Sequence, residues 1–228
     1  MIKNITEKAK KIMIIMAEHG YMCQKDMRLI LENKMQISRY IKLLHKDLKF
    51  LLQFDTKIGK QKAYCLSKKG YRFLAENGLL RVRNFFYPSR YRITDFSHNQ
   101  ATIQVRIIFE RNPLVFDWRS HKVLATISQN KKGKHFDAEV KTKSGTIGIE
   151  IELTLKSKES ILDGLKLIDE YHPNLKYVFW FFSSKGVLNS YQDAINQNLF
   201  QLSNPRKHLL ILLPDFLIKR FDTEGLYY

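Results

Sequence analysis

The chain is short of the residues that mark several large protein classes. Of its 228 residues, two are cysteine, five are proline and ten are glycine. Cys23 and Cys65 match no metal-ligand spacing and make no disulfide framework, which suits a reducing cytoplasm. So little proline and glycine excludes a collagenous or linker-like chain. No stretch approaches the roughly 18 unbroken apolar residues of a membrane span. The first residues include Lys3, Asn4, Thr6, Glu7 and Lys8, which leaves no apolar core for a secretory signal. No Gly-rich phosphate loop ending in Lys-Ser or Lys-Thr is present, so an ATP-driven motor has no support.

Acidic residues are also scarce: 22 Asp plus Glu stand against 39 Lys plus Arg, for a net charge of +17. The hydrophobic fraction of 44% is enough to bury a core. A soluble, cytoplasmic, basic protein of this kind is expected to hold a polyanion, because cations on phosphates release condensed counterions. The charge is uneven. Residues 1–95 carry 21 basic against 8 acidic side chains, a net of +13, and residues 96–228 carry only +4. This predicts a DNA-binding domain over 1–80, a basic aromatic linker over 81–95 and a second domain over 96–228.

In the first region, Thr6 and Gly20 bracket a helix. Gln24 to Leu31 reads as a second helix. A third starts at Ser38, with Ile41, Leu44 and Leu48 inward and Arg39, Lys42, His45, Lys46 and Lys49 outward. Leu52 to Phe54 and Ala63 to Leu66 read as strands around a turn at Gly59 that carries Lys57, Lys60 and Lys62. Three helices and a basic hairpin resemble a winged helix-turn-helix. That resemblance implies that Ser38, Arg39, Lys42 and Lys46 face the major groove and that the three hairpin lysines lie along the backbone. In the linker, Phe85, Phe86 and Tyr87 are expected to cement the two domains, and Arg81, Arg83, Arg90 and Arg92 to touch phosphate.

The second region reads as a helix from Ser97 to Glu110, then strands over Val115–Ile127, His135–Thr142 and Thr146–Leu155. A helix from Lys158 to Tyr171 comes next, followed by a doubly buried strand, Tyr177–Phe182. A short helix over Val187–Asn196 and a strand over Leu209–Leu213 complete the pattern. This is an α/β domain with a mixed sheet, and its αβββαβ order resembles the restriction-endonuclease-like nucleases. Their loose signature is Pro-Asp, then Asp or Glu, any residue, and Lys.

In a strand, alternate side chains share a face, so Glu150, Glu152, Thr154 and Lys156 are predicted to project together. Asp137 on the neighbouring strand is placed to meet Glu150. Gathered carboxylates repel unless a cation sits among them, and all-oxygen ligands select Mg²⁺ or Mn²⁺. The competing reading is a half-exposed strand with both glutamates in solvent. The chain departs from the signature twice: Phe136 replaces Pro, and Glu152 stands in the Lys position, where Lys156 or Lys141 is expected to supply the ammonium.

A winged helix followed by such a domain resembles the plasmid replication-relaxation family and MobC-type relaxases. The residues carrying this are Thr94-Asp-Phe-Ser-His98, His135-Phe-Asp137 and Gly148-Ile-Glu-Ile-Glu152. The resemblance implies a Mg²⁺- or Mn²⁺-dependent protein that nicks DNA at a plasmid or mobile-element origin. Asp137, Glu150 and Glu152 would be its metal-binding catalytic acids, Lys156 a further catalytic residue and His98 a secondary candidate. Double-stranded DNA with a specific site is the implied partner, with mobilisation or replication proteins beside it and no membrane. The seven histidines form no His-x-His pair, so relaxase chemistry built on a histidine-bound metal and a tyrosine nucleophile is not expected. The alternative is a non-catalytic DNA-binding regulator with a degenerate nuclease-like domain; a restriction or defence nuclease is a third reading.

Overall fold

The computed structural model describes residues 5–31, 33–59, 61–127 and 136–218. Lys60, His135 and the expected turn at 131–134 lie outside them. Among the described residues the chain is mixed α/β with two sheets, and it divides into two units, Met1–Ile107 and Ile108–Tyr228.

In the first unit the Thr6 hydroxyl accepts the N–H of Ala9 at 3.3 Å and starts α1, Glu7–His19. Gly20 ends it at φ 98°, a conformation that side chains rarely adopt. Strand β1, Met22–Cys23, and α2, Gln24–Leu31, follow. The third helix begins earlier than expected, because Asn33 rather than Ser38 is its cap and accepts from Gln36 N–H at 2.8 Å. It runs as α3, Lys34–Ile41, and continues as a π-helical stretch, Lys42–Asp47, in which Leu48 N–H bonds Leu43 C=O at 2.9 Å. Strands β2, Leu51–Asp55, and β3, Lys62–Leu66, pair antiparallel, and β1 adds to the other edge of β3. Helix α4, Lys68–Glu76, is a further element that an internal Gly70 hides from helical periodicity; Ser67 caps it.

The stretch 81–95 folds back onto this unit. Phe86 and Tyr91 pack with Phe54 and Ile58 around Tyr21, Cys23, Ala63, Cys65 and Phe96. Phe85 meets Tyr71 edge-on at 5.4 Å. Of the three aromatics expected to join two domains, Phe86 packs into this core, Phe85 lies against Tyr71 and Tyr87 is exposed. Both cysteines are free and buried there, and burial pushes each thiol up to about 12. Helix α5, Phe96–Phe109, also gives this unit a half-buried bond from Gln104 to Asp26 at 3.1 Å and a buried one from Arg106 to Glu18 at 2.9 Å.

The second unit holds a five-stranded mixed sheet ordered β4-β5-β6-β7-β8. Its strands are β4, Val115–Ser120; β5, Ala138–Thr142; β6, Gly145–Glu152; β7, Tyr177–Phe182; and β8, His208–Leu212. The first three pair antiparallel and the last three parallel. The helices are α6, His121–Ile127; α7, Lys158–Tyr171; α8, Lys185–Gln197; and α9, Leu213–Ile218. The expected strand over 115–127 therefore stops at Ser120. There the Ser120 hydroxyl accepts from Val123 N–H, and Val123 and Leu124 are buried from a helix instead.

Strand β7 is buried on both faces, as its unbroken apolar run predicts. Val178, Trp180 and Phe182 pack with Ile161, Leu165 and Ile168 of α7 and Val187, Tyr191 and Ala194 of α8. Phe179 and Phe181 point the other way, toward Phe109 at 6.0 and 6.3 Å.

Candidate functional site

The register of β6 decides where its acids go. Glu150 pairs with Trp180 and Glu152 with Phe182 in the parallel ladder, so both glutamates share the face that α8 covers. They are 6% and 5% exposed, which overturns the solvent-facing alternative. Strand β6 ends at Glu152, so Thr154 and Lys156 lie beyond it and are not part of its alternation. Lys156 nevertheless returns, and its Nζ forms an ion pair with Glu152 Oε1. Past the strand end, Ser183 N–H bonds Glu152 C=O at 3.2 Å and Ser183 Oγ bonds Leu153 C=O at 2.8 Å, which holds this corner in place.

Asp137 lies one residue before β5 instead of on it. Ala138 pairs with Ile149, so Asp137 stands opposite Glu150 where the ladder would continue. Its side chain replaces that missing rung: Oδ2 accepts the main-chain N–H of Ile151 at 2.8 Å, while its own C=O accepts from His121 N–H. The backbone register thus continues toward Asp137 and Glu150 as the next opposed positions. Phe136, in the expected Pro position, is fully buried over Gly148, where an added Cβ would come within 2.8 Å of its ring.

Tyr191 of α8 belongs to this cluster and is absent from the sequence-based site. Burial first, and then the charge and hydrogen bond of Glu152 and the charge of Glu150, hold its phenol protonated far above the ordinary range. In the sequence, Tyr191 shares a helical stripe with Val187, Ala194 and Ile195, which marks it as core and says nothing of its hydroxyl.

Among the described residues, no three His, Cys, Asp or Glu side chains are grouped to hold a metal ion. The donor set is smaller. Asp137 and Glu150 oppose one another, and Glu152 is committed to Lys156 and Tyr191. Two carboxylates suit Mg²⁺ or Mn²⁺ at a phosphate, since Mg²⁺ keeps several waters and completes its shell with substrate oxygens.

In the first unit, Ser38 and Arg39 of α3 and Lys42 and Lys46 of the π-helical stretch are all exposed, while Ile37 and Leu44 are buried behind them. His45 turns away, its Nδ1 2.9 Å from Leu51 C=O. Lys57 and Lys62 are exposed at the β2–β3 turn, which passes through φ 57° at both Lys57 and Gly59. In the 81–95 stretch, Arg83, Arg90 and Arg92 are exposed, and Arg90 lies over the Tyr87 ring at 5.5 Å. Arg81 is drawn instead toward Glu18, at 3.9 Å. His98 is the third residue of α5 rather than its cap, and its C=O accepts from the Thr102 hydroxyl at 2.9 Å. It sits in the first unit, whereas the carboxylates are in the second.

No family model matches the chain, and no curated protein matches it either.

Proposed function

We propose that the chain is a metal-dependent DNA strand-nicking protein of a mobile element. Its first unit would dock on duplex DNA, and the β5–β6 hairpin of its second would meet a phosphate. The observation that carries this reading is the buried Glu150 of β6 set opposite Asp137 at the end of an antiparallel-then-parallel sheet. Three helices, a three-stranded antiparallel sheet and an exposed cationic helix face support the winged-helix reading. In the second unit the expected run of three strands is interrupted by α6, and the antiparallel β4-β5-β6 followed by α7 and a parallel β7 supports the nuclease-like reading.

Asp137 and Glu150 would hold the cation, which supplies charge neutralisation at the scissile phosphate and a more acidic water. The chain's own work is positional. The Ile151 N–H fixes the rotamer of Asp137, and the sheet fixes Glu150. Lys156 and Tyr191 balance Glu152, so the carboxylates beside it need not all share one cation.

The deciding experiment incubates supercoiled plasmid carrying the DNA that flanks the gene with protein, in Mg²⁺ and in EDTA. Open circles in Mg²⁺ that vanish with Glu150→Gln support the reading. Open circles that persist in Glu150→Gln overturn the site. A second reading, a DNA-binding accessory factor without catalysis, is favoured by the commitment of Glu152 to Lys156 and predicts tight binding indifferent to Mg²⁺.

A further inference from the structure

We infer that Met35 reads thymine 5-methyl groups in the major groove, giving the docking unit part of its sequence preference. This rests on the proposal that the first unit binds duplex DNA. Met35 is the second residue of α3 and is 80% exposed, although Ile37, two positions on, is 5% exposed. Around an α-helix each residue advances by about 100°. Met35 therefore falls within about 60° of Ser38, Arg39 and Lys42 and nearly opposite Ile37. An apolar side chain thus stands in the middle of the cationic stripe, with the hydrophobic core on the other side of the helix.

What sets Met35 apart from other exposed apolar side chains is that cations flank it on the same helix face, and these suit a polyanion. Arg39, Lys42 and Lys46 attract phosphate on either side of a groove. The residues at the start of such a helix are those that reach base edges. The one apolar feature on a major-groove edge is the C5-methyl of thymine. Methionine suits it, being unbranched, polarizable and able to settle against a methyl without a demanding rotamer. The charges would hold the duplex, and Met35 would discriminate within it.

The test uses the full chain and DNA whose thymines lack the methyl. Duplexes are selected from a random pool with the wild-type protein, and each winner is then amplified with dTTP or with dUTP. Affinities are measured by fluorescence anisotropy at one salt concentration for wild type, Met35→Ala, Met35→Leu and Arg39→Ala. The wild type should bind thymine DNA about fourfold more tightly than uracil DNA for each methyl buried. Met35→Ala should bring that ratio to about one, and Met35→Leu should keep most of it. Arg39→Ala should weaken both duplexes equally and leave the ratio unchanged. A ratio of one for the wild type, or a ratio that survives in Met35→Ala, overturns the inference. The second outcome would mean that the preference comes from duplex shape. Absence of any duplex binding would instead overturn the docking proposal itself, and the inference with it.

Discussion

Asp137 accepts the main-chain N–H of Ile151 through Oδ2 at 2.8 Å, so a side chain does the work of a ladder rung between β5 and β6. Structure and proposed chemistry therefore meet in one carboxylate, and two substitutions separate them. Asp137→Asn keeps an oxygen acceptor and removes the charge; Asp137→Ala removes both. Nicking should fall by at least about a hundredfold in each, because several kcal/mol of charge stabilisation would be lost. Stability should fall only in Asp137→Ala, by about 1–3 kcal/mol for the orphaned Ile151 N–H. Urea unfolding beside plasmid relaxation checks this, and full activity in Asp137→Asn would remove Asp137 from the site.

The exposed face of α3 makes a quantitative claim about salt. Each phosphate contact removed should lower the slope of log Kobs against log salt by about one. Arg39→Ala and Lys42→Ala should each do so, weakening binding to all sequences alike. Arg81→Ala should move the slope less than Arg83→Ala, because Arg81 leans on buried Glu18 while Arg83 is exposed. Equal slopes for the two variants would contradict this division.

Much of the fold was legible because caps and periodicities are local. Thr6 and Gly20 bound α1 as expected, and Lys158–Tyr171 and Tyr177–Phe182 form their helix and strand at the predicted residues. What escaped depends on partners far along the chain. The run after Ser120 becomes a helix once the Asp137 carbonyl takes the His121 N–H. The aromatics of 81–95 look like an interdomain cement until Tyr21 and Phe54 are seen to receive Phe86. The Glu150–Glu152 alternation was readable, but their burial depends on Tyr191, 39 positions beyond Glu152. No period in the sequence connects those two residues.

A second buried network sets an acid limit on the unit that carries the carboxylates. Lys207 Nζ lies 2.5 Å from Asp169 Oδ1, His208 Nε2 lies 3.4 Å from the same atom, and Ser203 N–H bonds Oδ2 at 2.8 Å. Burial alone would raise the Asp169 pKa. The hydrogen bond and charge of Lys207, with His208, outweigh it and leave the carboxyl below its ordinary 3.8. The folded state then binds this proton less readily than the unfolded chain does. Its contribution is complete above about pH 4 and disappears as pH falls through the depressed folded value. Asp169→Asn should flatten that acid limb. It should also cost about 3–5 kcal/mol at neutral pH, since Lys207, with its side chain 1% exposed, would lose its counter-charge. Chemical unfolding across the acid range reads both effects, and an unchanged acid limb would show that other carboxylates set it.

The Glu18–Arg106 pair ties α1 to α5 within the first unit, with side chains only 1% and 4% exposed at 2.9 Å. A pair this buried costs several kcal/mol per ion to desolvate, and its attraction does little more than offset that. Breaking it from one side should therefore be far worse than replacing it altogether. Arg106→Met leaves the buried Glu18 carboxylate beside the more distant Arg81, at 3.9 Å, and should cost about 3–5 kcal/mol. Glu18→Leu takes that carboxylate away from the buried Arg106 guanidinium and should also destabilise the unit. The double variant should recover most of the loss, because two apolar side chains of similar bulk fill the same space. A double-mutant cycle on unfolding free energies gives the coupling directly. Additive losses in the double variant would mean that the pair holds the helices through geometry its apolar replacements cannot reproduce.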